Sequence, residues 1–180
     1  MLAEAHRSLL LIVDIQERLA AAMDERDAMI RNSVILLQAA TEMRVPILAS
    51  EQYPQGLGHT VPELGHRLSA EDVLSKVEFS CWQNRPLRER IAASGKDQVI
   101  VAGIEAHVCV LETALDLRKA GKEVFVVADA VASRRVESRE MALRRLSANE
   151  VEIVTTEMVV LEWLGSAASP SFKTISKLIR

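Results

Sequence analysis

Leu9-Leu10-Leu11-Ile12-Val13, closed by Asp14, is a run of five apolar residues without polar alternation. A strand with one wet face alternates; a continuous run this short is a strand covered on both faces. Four further runs have the same character: Val45–Ala49, Gln98–Ala102, Val124–Ala128 and Val151–Thr155. A shorter sixth strand is expected at Asp72–Ser75. Between the runs, apolar residues recur three and four apart. Ile30, Val34, Leu37, Ala40 and Met43 form one stripe, Val110, Ala114 and Leu117 a second, and Met141, Leu143 and Leu146 a third. The second ends at Gly121, which suits a left-handed helix end. Strand alternating with helix predicts an α/β fold: an open parallel, Rossmann-like sheet of about six strands, helices on both faces.

The chain has 180 residues, which predicts a single domain over 1–180. A chain of this size buries roughly 70% of its unfolded surface and needs no staples. With 22 basic against 25 acidic side chains the net charge is −3, and aromatics are 3%. A general nucleic-acid binder carries a basic surface, and a single-strand binder carries stacking aromatics, so no nucleic-acid partner is expected. No apolar run is long enough for a membrane span or a secretory leader, so a cytoplasmic protein is expected. Two cysteines, Cys81 and Cys109, do not make a disulfide framework.

The stretch from Ser50 to Leu68 carries Pro54, Gly56, Gly58, Pro62 and Gly65, and reads either as an ordered loop over a site or as a surface excursion. After Gly165 a final helix is expected to restart at Ser169-Pro170, with Phe172, Ile175 and Ile179 on one face.

In open parallel sheets, ligands bind beyond the carboxyl ends of the strands. That edge receives Asp14 after the first strand. It also receives Gly103-Ile104-Glu105-Ala106-His107-Val108-Cys109, leading into the Val110 helix. A cysteine near a helix N-terminus is expected to favour thiolate. On residue type alone, Cys109 is more often a buried inert thiol and Lys76 more often a surface lysine, while Asp14 is as readily a turn residue as an acid–base group.

Taken together, Asp14-Ile15-Gln16, Lys76 with Phe79-Ser80, and Gly103 to Val110 followed by Thr113-Ala114 resemble the isochorismatase-like cysteine hydrolases. The resemblance runs from Ser8 to about Trp163. The Glu105-Ala106-His107 variant and the ending Phe172-Lys173-Thr174-Ile175 are similar to the isochorismatase-domain-containing branch rather than to nicotinamidases.

The resemblance implies a catalytic Asp14, Lys76 and Cys109, with the cysteine as nucleophile, the carboxylate as proton carrier and the lysine as its partner cation. It implies a cis peptide at Ile104–Glu105 and an oxyanion hole from the backbone amides of Glu105 and Cys109. It also implies a homo-oligomer, which the high apolar fraction supports. Gln16, Tyr53, Phe79, Trp82 and His107 are candidate substrate contacts, Phe79 and Trp82 equally candidates for the core; Cys81 is read as a packing thiol.

Where nicotinamidases carry an Asp-x-His metal pattern, this sequence reads Glu51-Gln52-Tyr53, so no metal is expected, although His59 and His66 lie nearby. Neither a Gly-x-Gly-x-x-Gly turn nor a phosphate loop follows the first strand, so no cofactor is expected. The substrate implied is a small amide, carbamoyl compound or related carbonyl. The alternatives are a non-catalytic binding or assembly protein on the same fold, and a redox-sensing thiol with Cys81 as resolving partner.

Overall fold

The computed structural model describes residues 1–179. In chain order the elements are β1 Ser8–Val13, α1 Glu17–Ala20, α2 Arg26–Glu42, β2 Ile47–Gln52, α3 Pro54–Leu57, α4 Pro62–Gly65 and β3 Val73–Lys76. Then come α5 Arg85–Ala93, β4 Gln98–Ile104, a π turn at Ala106–Val110, α6 Leu111–Lys119, β5 Glu123–Ala132, α7 Val136–Ser147, β6 Glu152–Val154, α8 Thr156–Leu164 and α9 Phe172–Leu178. The six strands form one sheet in the order β3-β2-β1-β4-β5-β6. Every pairing is parallel.

The continuous runs acquire their meaning from the pleat. Leu10, Ile12, Ile100, Ala102, Phe125 and Val127 point to one face, where α2, α8 and α9 supply Met29, Leu37, Val160, Trp163 and Ile175. Leu9, Leu11, Val13, Val99, Val101, Val124 and Val126 point to the other, against Leu87 and Ile91 of α5, Leu117 of α6, and Ala142 and Leu146 of α7. All six residues of β1 and all seven of β4 are buried. No polar alternation is possible in strands covered on both sides.

Strand ends differ from expectation for local reasons. β2 begins at Ile47 rather than Val45 because the Val45 N–H closes α2 on the Ala40 carbonyl at 2.8 Å, and Pro46 has no N–H. It continues to Gln52, which pairs with Lys76. β6 is trimmed at both ends: the Val151 N–H donates to Leu146 O, and the Thr155 side chain caps α8 by accepting from Met158 N.

The Met141 stripe is corrected, since Met141 is 61% exposed and the buried pair on α7 is Ala142 with Leu146. Residues 141 and 143 lie on opposite sides of a helix, whereas 142 and 146 share a face. The Ser50–Leu68 stretch is ordered, with two single-turn helices. The final helix starts at Phe172, later than expected, and buries Ile175.

The strand order reverses between β1 and β4: β2 and β3 build outward on one side of β1, β4 to β6 on the other. Such a switch point leaves a crevice at the carboxyl edge, between the connections that diverge from it. Asp14 follows β1 there, and the Ala106–Val110 turn follows β4.

Candidate active site

Asp14 is wholly buried and adopts a left-handed backbone conformation, φ 53°, which Asp tolerates better than most residues. Its N–H donates to Ser50 O at 3.1 Å and its carbonyl accepts from Gln16 N at 2.7 Å, so the turn is fixed from both sides. Its side chain meets two donors. Ser50 Oγ donates to Oδ1 at 2.7 Å and Lys76 Nζ donates to Oδ2 at 2.7 Å.

Lys76 is 3% exposed, far from the solvated lysine that its residue type alone would suggest. Beyond Asp14, its ammonium donates to Gln52 Oε1 at 2.7 Å, Phe79 O at 3.1 Å and Glu78 O at 3.2 Å. Burial works hardest against the charged form, but Asp14 and the two neighbouring cysteines together outweigh it, so the pKa lies above the usual lysine value. A buried ammonium with four oxygen neighbours is compensated rather than stranded.

Cys109 sits in the π turn, one residue before the Val110–Leu111 junction with α6, and is 7% exposed. The turn closes through Glu105 O, which accepts from Val108 N at 3.0 Å and Val110 N at 3.2 Å. Such π segments are frequent at functional sites. The Ile104–Glu105 peptide leading into it is cis.

The expected resting thiolate is corrected. Burial pushes the Cys109 thiol well above its ordinary range, and the Asp14 carboxylate pushes it further; Lys76 opposes both without overcoming them. The thiol therefore rests protonated, with the carboxylate placed to accept from it. Cys81 is fully buried nearby. Burial lifts its pKa to about 11, and its thiol approaches Ser50 Oγ at 3.4 Å. Both cysteines are free.

At the end of β2, Glu51 Oε1 accepts from Thr60 N at 2.6 Å and Thr60 Oγ1 at 2.8 Å, and Oε2 lies 3.1 Å from His59 Nδ1. Burial raises the Glu51 pKa, but these partners more than offset it and hold the carboxyl below its usual value. No group of three metal-binding side chains occurs among the described residues.

A family model of the isochorismatase domain matches residues 8–158. The chain belongs to the isochorismatase domain family. Isochorismatase domain-containing protein 2 of Danio rerio is 40% identical over 174 residues, covering 96% of this chain and 86% of that protein. Among solved structures, the MAR1 ribonuclease of Caenorhabditis elegans is 36% identical with a TM-score of 0.93, over 99% of this chain and 92% of that one. The YcaC gene product of Escherichia coli, an octameric hydrolase of unknown specificity, is 25% identical with a TM-score of 0.94, over 99% and 89%. The fold is thus that of the isochorismatase-like hydrolases.

Within this isochorismatase domain, Asp14, Lys76 and Cys109 come together although 62 residues separate the first two. Gln16 is buried with its amide turned to backbone: Nε2 donates to Gly58 O at 2.7 Å and Gln52 O at 3.0 Å, and Oε1 accepts from Gln52 N at 2.7 Å. It anchors the loop after β2. Tyr53 and Phe79 are each 54% exposed beside the ends of β2 and β3, while Trp82 is half-buried against the second core. His107 is half-buried, with Nδ1 2.9 Å from Ser133 Oγ. Sequence reasoning missed Ser50 and Gln52, which hold Asp14 and Lys76; their position at the carboxyl end of β2 was the available signal.

Proposed function

We propose that the chain is a cysteine hydrolase acting on a small amide, carbamoyl compound or related carbonyl, with Asp14, Lys76 and Cys109 as its catalytic groups. The observation that carries this reading is the buried 2.7 Å Lys76–Asp14 pair beside the Cys109 thiol. A lysine and an aspartate at zero side-chain exposure are costly to keep, and acid–base work at a neighbouring nucleophile gives them a use.

In the proposed reaction Cys109 Sγ attacks the carbonyl carbon as the thiol proton passes to Asp14. The oxygen gains the negative charge and is met by the backbone N–H groups of Glu105 and Cys109. Collapse expels the amine, which takes the proton back from Asp14 and leaves a thioester. Water then attacks the thioester, giving one proton to Asp14; the acid departs and the proton returns to sulfur. Lys76 stays charged throughout and keeps Asp14 oriented. Gln16, Tyr53, Phe79, Trp82 and His107 are proposed to border the substrate, Gln16 through the loop it anchors. No metal or cofactor enters any of these steps.

The reading extends to one hydrolase domain over the whole chain, working in a reducing cytoplasm that keeps both thiols free, and assembled from several copies as the Escherichia coli relative is. The test is a panel of small amides and carbamoyl compounds, with a short RNA included because of the Caenorhabditis elegans relative's name. Turnover of a panel amide by wild type, lost in Cys109→Ala, supports the reading. RNA cleavage that survives Cys109→Ala contradicts it, and no turnover at all favours a binding or assembly protein.

A further inference from the structure

Strand register places two connections side by side at the carboxyl edge. Ile104 of β4 pairs with Ala132 of β5, so the turn carrying Cys109 and the segment Ser133-Arg134-Arg135 leave the sheet as neighbours. Between them and α7 lies a cleft of about 380 Å³ lined by His107, Arg134, Arg135 and Ser138. Every lining side chain can donate a hydrogen bond and two are permanent cations. Arg134 is held in place: its Nε donates to both Glu105 oxygens at 3.1 Å, and its N–H donates to Glu105 Oε2 at 3.0 Å. That pairing leaves the two terminal amino groups of Arg134 without a protein acceptor among the described residues. Arg135 has no ion pair among them. It also occupies the N-cap of the twelve-residue α7, where no side chain caps the first turn. The free amides of that turn add to the positive field of the arginines.

We propose that this cleft is an anion subsite of the active centre, so that the substrate is a carbonyl compound bearing a carboxylate or similar oxyanion at its far end. The inference rests on the hydrolase reading above, because it takes Cys109 as the attacking atom. Arg134 and Arg135 would grip the oxyanion while the carbonyl reaches the π turn. Its Glu105 tether makes Arg134 a rigid donor, and the unpaired Arg135 supplies the charge that Glu105 does not neutralise. Planar guanidinium groups match a carboxylate better than lysine does.

The experiment compares alkylation of Cys109 by charged and uncharged forms of one reagent: N-bromoacetylglycine and N-bromoacetyl-β-alanine against their primary amides. In each case Cys109 sulfur displaces bromide from the CH2 group and the thiol proton goes to Asp14. Mass spectrometry of the Cys109 peptide gives the rates, and the readout is the ratio of acid to amide. Arg135→Gln and Arg134→Gln are compared with Arg144→Gln, which makes the same change in net charge further along α7.

The expected result is a ratio lowered about fivefold or more in Arg135→Gln and in Arg134→Gln for at least one spacer length, as loss of a charge-assisted contact requires. Arg144→Gln should keep the wild-type ratio. A ratio unchanged by Arg135→Gln and Arg134→Gln at both lengths, or lowered equally by all three substitutions, overturns the subsite and leaves the hydrolase reading standing. A Cys109 that reacts with none of the four reagents overturns both.

Discussion

Asp14 holds the most consequential position of any single residue, since its two oxygens are shared between Ser50 and Lys76 and its carboxylate faces the Cys109 thiol. Asp14→Asn keeps the shape but accepts no proton, so kcat should fall by about 10²–10⁴-fold. A panel substrate assayed with both forms checks this; turnover within a few-fold of wild type makes Asp14 a strand-end turn residue. Lys76→Met should cost about 3–5 kcal/mol in denaturant unfolding, because it strands a buried carboxylate. Adding Asp14→Asn to it should restore part of that loss; a double variant no more stable than Lys76→Met would mean that the pair is not what is being broken.

The three buried groups with raised pKa values, Cys81, Cys109 and Lys76, act in the same direction. An unfolded cysteine ionises from its ordinary 9.0, whereas Cys81 in the fold holds its proton to about 11, so the fold binds more protons in that window and stability falls as pH rises through it. The Lys76 contribution is complete below its ordinary 10.5 and is lost as pH passes its higher folded value. Melting temperature should therefore drop above about pH 9, with a shallower alkaline slope in Cys81→Ser. Identical slopes would contradict the assignment.

At the scale of elements, two glycines with positive φ separate close packing from conformational preference. A methyl on Gly103, φ 133°, would fall on the Val13 carbonyl, where β4 passes against β1. Gly121, φ 85°, has open space around it and closes α6, its N–H donating to Arg118 O at 2.9 Å while Lys122 N donates to Leu117 O at 3.0 Å. Gly121→Ala should cost about 1–2 kcal/mol, the price of one left-handed residue. Gly103→Ala should cost more than that or prevent folding, as measured by chemical denaturation. Equal costs would contradict the close approach.

The Gly121 helix end and the strands were legible in the sequence because each depends on residues adjacent in the chain. Strand limits were not, since they turn on where Val45, Val151 and Thr155 place single hydrogen bonds. Asp14 and Cys109 were legible as residues leaving strand ends. Lys76 was visible only through the family resemblance, because nothing in Ser75-Lys76-Val77 announces that its side chain turns inward. Ser50 and Gln52 acquire their roles from hydrogen bonds across strands, which no local pattern encodes.

For the whole molecule, the sheet order brings chain positions 14, 76 and 109 to one edge and leaves Val77, Phe79 and Tyr53 exposed around β3, one of the two outermost strands. Exposed apolar groups at a sheet edge are commonly covered by another surface. Sedimentation at micromolar concentration should show an oligomer; a monomer there would contradict the assembly. No helix among the described residues is long and apolar enough to cross a membrane.

The central claim is that Cys109 becomes covalently acylated during turnover. Its most direct test is the mass of the intact protein, acid-quenched while hydrolysing the best panel substrate, followed by peptide mapping. The account predicts an added acyl mass on Cys109 that disappears as substrate is exhausted and never forms in Cys109→Ala. Steady turnover with no adduct on Cys109, and with activity retained in Cys109→Ala, would contradict it.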